Sequence, residues 1–248
     1  MARKNQMKVY RYMSFRRFTE LLFTQELALV NPSKWPDQYE TYAIRELLDG
    51  RNREKYRLLF DNHGISFENF FDVFRDVIKD ILDESYCLCF SRSKDAEVMW
   101  NAYSYQNNAV MIRTSVDKLQ ALSPECLSIF RVRYDLKNTQ MDSLLKICEF
   151  DDGGGAIFRD CDELLRHKRK CFQYENEMRL VGASFYDVPH RLGQGIVYLP
   201  IGDISDFVER VMVHPLADDG YVDLIKKMCN HFGIQFWGRS KIYEFKRK

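Results

Sequence analysis

The sequence predicts an α+β fold on three observations. Of its 248 residues, 46% are hydrophobic and 14% aromatic, enough to build a large core. Short β-prone runs are interleaved with runs of helical period, in no repeating order. Only 12 Gly and 6 Pro interrupt the chain, which excludes fibrous and low-complexity classes. Residues 1–248 read as a single domain, with a helical insertion at about 38–84 between its first two strands.

Lys8 to Met13 is short and β-prone. Ser14 is a residue type that caps helices, and Phe18, Leu21, Leu22 and Gln25 recur at helical spacing, so a helix over 15–25 follows directly. Asn31-Pro32-Ser33 and Trp35-Pro36-Asp37 mark an irregular loop. Residues 39–61 read as a helix stopped by Asn62-His63-Gly64, and 67–83 as an amphipathic second helix. Strand and helix then alternate: a strand at Tyr86 to Phe90, a helix at Lys94 to Tyr103, strands at Ala109 to Arg113 and Ile129 to Tyr134. A helix over 138–150 ends in the linker Asp151-Asp152-Gly153-Gly154-Gly155. Ala156 to Phe172 reads as a long basic helix and Glu177 to Ala183 as a strand. Strands at 195–200 and 208–213, a helix at 218–231 and β-prone stretches at 234–237 and 241–245 complete about eight strands and six or seven helices.

A net charge of +1 excludes global attraction to nucleic acid or to an anionic membrane, so such binding needs a local patch. The charge is uneven: residues 1–60 hold 12 basic and 7 acidic groups, residues 61–100 hold 4 and 9. No window reaches the eighteen or so apolar residues of a membrane span, and the first residues lack a signal-peptide core, so no membrane partner and a cytoplasmic location are expected. Seven scattered Cys without a Cys-x-x-Cys pair read as reduced thiols. Cys161, His167 and Cys171 are the densest ligand types, but three without a second cluster point to no metal.

Three strings carry chemistry. In Tyr174-Glu175-Asn176-Glu177-Met178-Arg179, alternation along a strand puts Glu175, Glu177 and Arg179 on one face. Two carboxylates about 7 Å apart repel unless a cation or ligand uses them, or Arg179 neutralises Glu177 across an exposed sheet surface. Cys89-Phe90-Ser91 followed by Met99-Trp100-Asn101-Ala102-Tyr103 is a strand ending in a hydroxyl and a helix with two rings on one face, read either as a ligand platform or as core filling. Tyr10-Arg11-Tyr12 places a guanidinium between two phenols, suited to a phosphate or ribose and equally to a surface ion pair.

As a set, these strings, with Asn31-Pro32 through Glu40, Val132-Arg133-Tyr134 and Lys168, resemble the bacterial domain-of-unknown-function family two-nine-seven-one over roughly residues 8 to 240. The loop Lys34-Trp35-Pro36-Asp37 departs from that family's usual Phe-Asn-Asp-Pro. No function comes with that family. More distantly, Arg11 on a first strand, Ser91 or Tyr103 after a second, and Glu177 opening a third within a Glu-x-Glu string are similar to the three-part signature of the ADP-ribosyltransferase superfamily.

That resemblance implies a mixed or antiparallel sheet core, NAD as cofactor and transfer of ADP-ribose to a macromolecule, nucleic acid or protein. Glu177, Glu175 and Ser91 would be catalytic, Glu177 facing the charge that develops on the ribose, Ser91 supporting it and Glu175 activating the acceptor. Arg11, Tyr12, Tyr103 and Trp100 would bind the cofactor. Arg166, Lys168, Arg169 and Lys170, with Arg131, Arg133 and the terminal Lys246-Arg247-Lys248, would contact the acceptor, or else solvate a helix face. Bacterial members of the superfamily often act as toxins or phage-defence effectors, a setting that would add a neutralising protein partner. Two rival readings share these residues: a nucleotide or nucleic-acid binding module without catalysis, and a nuclease holding a divalent metal with Asp37, Glu175 and Glu177.

Overall fold

The computed structural model describes residues 7–41, 45, 54, 57–58, 66–122, 125–135, 148–150, 156–158, 161–183 and 190–244. Strand β1 (Lys8–Met13) leads into helix α1 (Phe15–Thr24), whose cap Ser14 accepts from the Arg17 backbone N–H at 3.4 Å. Phe18, Leu21 and Leu22 form its buried stripe. Gln25, at φ 53°, closes the helix in the left-handed region and turns the chain at once into β2 (Glu26–Val30). After 3-10 turns at Pro32–Lys34 and Gln38–Thr41 comes α2 (Phe67–Glu84). Buried Asn31 binds the end of α2: its side-chain amide donates to the carbonyls of Leu82 at 2.9 Å, Asp83 at 3.0 Å and Ser85 at 2.9 Å.

The remaining elements are β3 (Tyr86–Ser91), α3 (Glu97–Tyr103), β4 (Val110–Ser115), α4 (Val116–Gln120), β5 (Leu127–Arg131), β6 (Cys148–Phe150), β7 (Ala156–Phe158), β8 (Glu177–Gly182), β9 (Arg191–Gly193), β10 (Ile196–Pro200), α5 (Ile204–Phe207), β11 (Arg210–Val213), α6 (Asp219–His231) and β12 (Gln235–Arg239). Ten strands join one sheet in the order β12-β11-β4-β1-β3-β2-β10-β9, with β8 on β3 and β5 on β8. Every pairing in it is antiparallel except β11 with β12, so the α+β class with a mixed, mostly antiparallel sheet holds. One core packs α1 and α6 against the sheet, around Val9, Phe18, Leu88, Ile112, Leu180 and Ile225. A smaller one on the other face gathers Tyr12, Met99, Trp100, Met111 and Met212 beneath α3.

The sheet is split where it matters. β3 pairs with β8 along six residues, but meets β1 only at Tyr10↔Ser91 and β2 only at Val30↔Cys87. Between those two points the edge of β3 opposite β8 has no strand beside it, and the Arg11 guanidinium enters the gap.

Several elements differ from the sequence reading. β2 lies in a run that the 15–25 helix and the following loop left unassigned; Leu27 and Leu29 alternate into the core once Gln25 has turned the chain. The long basic helix over 156–172 does not form. Its span holds β7 and 3-10 turns at Cys161–Leu165 and Lys170–Glu175. Long-range bonds override helical propensity there: Arg133 N–H donates to the Arg166 carbonyl and Lys168 N–H to the Arg133 carbonyl, both at 2.8 Å. Of the helix expected at 138–150, residues 148–150 are strand β6, paired with β7, and the rest lies outside the described residues. Most of the 39–61 helix, its Asn62-His63-Gly64 stop, the 151–155 linker and Lys246-Arg247-Lys248 also lie outside them. Residues 241–244 form a turn and not a strand. Twelve strands are present among the described residues, against about eight expected, because three-residue strands such as β9 are too short to show a period.

Candidate active site

The site is built on β8. All six of its residues are buried, so the exposed charge ladder considered for this strand is absent. The pairings Ser91↔Glu177 and Cys89↔Arg179 put these four side chains on one face of the β3–β8 pair. Glu175 lies ahead of the strand in the 3-10 turn Lys170–Glu175. Asn176, at φ 44°, reverses the chain there and brings the Glu175 carboxylate to the same side. The Tyr134 phenol accepts the Glu177 backbone N–H at 2.7 Å and anchors the start of β8.

Two cations, Arg179 and Lys168, face three carboxylates, Glu40, Glu175 and Glu177, in this interior. Arg179, 0% exposed, donates to Glu177 at 2.7 Å, to Glu40 at 2.7 Å and to the Leu165 carbonyl at 2.7 Å, and its guanidinium lies over the Trp35 ring. Lys168 Nζ sits among three carboxylates, 2.6 Å from Glu175, 3.0 Å from Glu40 and 3.2 Å from Glu177. Isolated burial of any of these ions would be costly, and the mutual pairing offsets it. Burial pushes the Glu177 carboxyl up, but Arg179 and Lys168 more than reverse this and hold it at about 2. Burial likewise pushes Glu175 up; there Lys168 opposes it, Glu177 adds to it, and the net direction is upward. Burial lowers Lys168, but the carboxylates of Glu177, Glu40 and Glu175 outweigh it, so its ammonium is held well above the ordinary range. The two glutamates are thereby driven apart, one kept ionised and the other made more basic. The Cys89 thiol contributes a hydrogen bond to Glu177, and burial keeps it protonated.

Arg11 approaches from β1. Its Nη1 donates to the Cys89 carbonyl at 2.5 Å, and its guanidinium lies 5.9 Å from the Phe90 ring centre. Burial lowers its pKa. A cavity of about 20 Å³ is lined by Arg11, Tyr12, Ser91, Tyr103, Glu175 and Glu177, with Tyr10, Cys89, Phe90 and Met99. On its other side Arg11 also lines a cleft of about 610 Å³ between α1, β2 and β10, whose rim carries Arg16, Arg17 and Glu20.

Six of the residues singled out in the sequence therefore meet at one place. Ser91 does so with a changed partner: its hydroxyl donates to the Glu175 carbonyl at 2.7 Å, steadying the turn and not the Glu177 carboxylate. Tyr12 touches the cavity, but its hydroxyl donates to the Ser93 carbonyl at 3.1 Å and accepts the Ala96 N–H at 2.9 Å, which fixes the start of α3. Trp100 does not join them. It is 0% exposed, packs edge-on against Tyr12 and donates its indole N–H to Asp95 at 2.8 Å, so it is core. Tyr103, one helical turn on, is 42% exposed at the cavity mouth.

The basic run 166–170, expected as an acceptor track, does not lie along one face, although Arg166 lines a cleft of about 510 Å³ together with Arg131 and Arg133. Lys168 is buried among the carboxylates. Arg169 is held by both oxygens of Asp37 at 3.1 Å and stacks on Tyr39, and Arg166 pairs with Glu163 at 2.8 Å over the Phe130 ring. Lys170 is exposed. A nuclease metal fares no better: the point on which Glu40, Glu175 and Glu177 converge is filled by the Lys168 ammonium, and Asp37 faces Arg169. His167 has both ring nitrogens engaged, with Asp135 at 2.7 Å and Glu163 at 3.1 Å, away from any helix shared with Cys171. Glu40 and Tyr134 are members that no period could have revealed, since one sits in a 3-10 turn and the other in irregular chain.

The family model described as protein of unknown function (DUF2971) matches residues 99–180, which include Tyr103, Lys168, Glu175, Glu177 and Arg179. Among solved structures, the chain is similar to Thermus sp. 2.9 DarT in complex with ADP-ribosylated ssDNA, at 10% identity and a TM-score of 0.40, with 95% of each chain covered. It is similar also to the same protein in complex with NAD+, at 11% identity and a TM-score of 0.39, covering 95% of this chain and 96% of that one. No curated protein matches the sequence.

Proposed function

We propose that the chain is an ADP-ribosyltransferase that uses NAD and modifies a macromolecule. One observation carries the reading: Arg11, Ser91, Tyr103, Glu175 and Glu177, drawn from three strands, a helix and a turn, line a single small cavity. The donor set suits the cofactor: a carboxylate held ionised, a guanidinium, and an aromatic ring at the mouth.

When bound there, NAD would supply a nicotinamide–ribose bond whose cleavage leaves positive charge on the ribose. Glu177, ionised throughout the physiological range, faces that charge with an orientation fixed by Arg179 and Lys168. Glu175, made more basic by burial, takes the acceptor's proton. Tyr103 stacks on the nicotinamide, and Arg11 holds the adenosine side, where the 610 Å³ cleft gives room for a nucleotide. The 20 Å³ cavity admits about one water, so binding requires α3 and the Lys170–Glu175 turn to part. No described helix is long and apolar enough to cross a membrane. The transferase proposed here is one that acts in the cytoplasm, as a toxin or phage-defence effector with a neutralising protein partner.

A module that binds nucleotide or nucleic acid without chemistry is favoured by one observation, that both Glu177 oxygens already hold cations. Nicotinamide release from NAD, with and without cell lysate, separates the two. Release that falls at least about a hundredfold in Glu177→Gln and about tenfold or more at subsaturating NAD in Tyr103→Ala, with thermal unfolding showing both variants folded, supports transfer. Saturable NAD binding without release supports the module.

A further inference from the structure

Farther along the sheet from the buried carboxylates, three cations surround one indole. Lys94 Nζ lies 4.2 Å from the Trp237 ring centre, the Arg210 guanidinium 4.6 Å and the Arg113 guanidinium 4.8 Å. Like charges gather this closely only where something offsets their repulsion, and the ring does part of that. Carboxylates do little of it. Glu209 holds Arg113 at 3.0 Å but is shared with Lys8 at 2.6 Å and Lys118 at 3.7 Å. Among the described residues neither Lys94 nor Arg210 has a carboxylate partner, and the buried Nε of Arg210 has no hydrogen-bond partner. The Trp237 ring is half-buried and packs on its inner side against the core of Tyr12, Trp100 and Met212. The parallel β11–β12 pairing slips between Val211 and Met212, so Trp237 is an extra residue bulged from the ladder, ahead of Gly238 at φ 96°.

The patch is continuous with the site. Ser91 pairs with Tyr10, Tyr10 with Arg113, and Arg113 with Arg210, so the four stand in one row across four strands and on one face. At about 4.8 Å per strand, Arg113 is roughly 10 Å and Arg210 roughly 14 Å from the Ser91 edge of the cavity. Tyr10 lies between them and also lines that cavity.

We propose that this face is the docking track for a single-stranded nucleic acid, with its phosphates on Lys94, Arg113 and Arg210 and a base against Tyr10. The inference rests on the transferase reading only in making that strand the acceptor. A row of cations interleaved with aromatic rings suits a chain of repeated anions that also carries flat bases, and guanidinium forks match phosphate oxygens. An acidic polypeptide needs the cations but not the rings.

The test is fluorescence anisotropy with labelled single-stranded DNA and RNA of about 20 nucleotides, titrated at several salt concentrations. Native protein should bind, more weakly as salt rises. Lys94→Gln with Arg210→Gln should weaken binding about tenfold or more and lower the log–log salt slope by about 1.4, at about 0.7 per cation removed. Trp237→Leu should weaken binding as well. Unchanged affinity and slope in a double variant that melts like the native protein would overturn the proposal, as would polyglutamate competing as well as the oligonucleotide. Absence of oligonucleotide binding, in a preparation that does release nicotinamide, overturns the track and leaves the transferase reading intact. Binding without release does the reverse.

Discussion

The Arg11 guanidinium donates to the Cys89 carbonyl at 2.5 Å, across the place where β1 and β3 part. A side chain thus stands where a neighbouring strand would have bonded. That exchange opens the sheet and gives the 20 Å³ cavity and the 610 Å³ cleft a common wall. Arg11→Ala should cost about 2 kcal/mol, since a part-buried charged donor is lost, and lower the melting temperature by roughly 4–8 °C. Arg11→Lys should recover part of that stability but not NAD affinity, because an ammonium lacks the planar fork. Calorimetry and NAD titration read the two effects separately.

Arg179 is the cation whose loss should be most damaging. Arg179→Met leaves Glu177 and Glu40 buried without their strongest partner and should destabilise by about 3–5 kcal/mol. Adding Glu177→Gln to it should restore part of the loss, because one unpaired charge is removed. Urea midpoints of the single and double variants check this, and strictly additive losses would show that the pair is not coupled.

Acid should act on the two glutamates in opposite senses. Glu177, held at about 2 in the folded chain, contributes stability that is complete above its ordinary value of 4.5 and is lost as pH falls from there toward 2. Glu175, shifted upward, is less stable ionised in the fold than in the unfolded chain. Its contribution is therefore unfavourable above its raised value and vanishes below 4.5. Glu175→Gln should accordingly be no less stable than the native chain at pH 7. Its advantage over the native chain should disappear by about pH 4, as urea midpoints at the two pH values would show.

The same substitution should divide the chemistry. If Glu175 deprotonates the acceptor, Glu175→Gln should slow transfer by about 10²–10⁴ while slowing nicotinamide release to water much less. Parallel assays of acceptor labelling and nicotinamide release read the ratio, and equal losses would remove Glu175 from that role.

Tyr103→Ala should raise the Michaelis constant for NAD about tenfold or more and leave stability within about 1 kcal/mol, because the ring is 42% exposed and fills no core. The contrasting change is Trp100→Ala, which should cost about 3–5 kcal/mol, since that indole is 0% exposed.

Local pattern determined much of this protein. The Ser14 cap, the apolar stripe of α1, the strands β1, β3 and β8, and the helices α2 and α6 follow from residue type and period, both short-range properties that a linear chain displays. The alternation that puts Glu177 and Arg179 on one face was equally visible, as was the chemistry of Arg11 and Tyr103. The tertiary structure alone decided what those side chains face. Alternation cannot tell a buried strand with two charges from an exposed one, so it left open whether Arg179 meets solvent or, as found, Glu40, Glu177 and the Leu165 carbonyl. A run of basic residues reads as helix and solvated surface until long-range bonds with Arg133 and Asp37 unwind it and send Lys168 into the carboxylates. Trp237 shows the same limit. It is one aromatic residue in a β-prone run, and only the pairing of β3, β1, β4, β11 and β12 brings Arg113, Arg210 and Lys94, which follows β3, around it, because contacts between distant segments leave no period in the sequence that makes them.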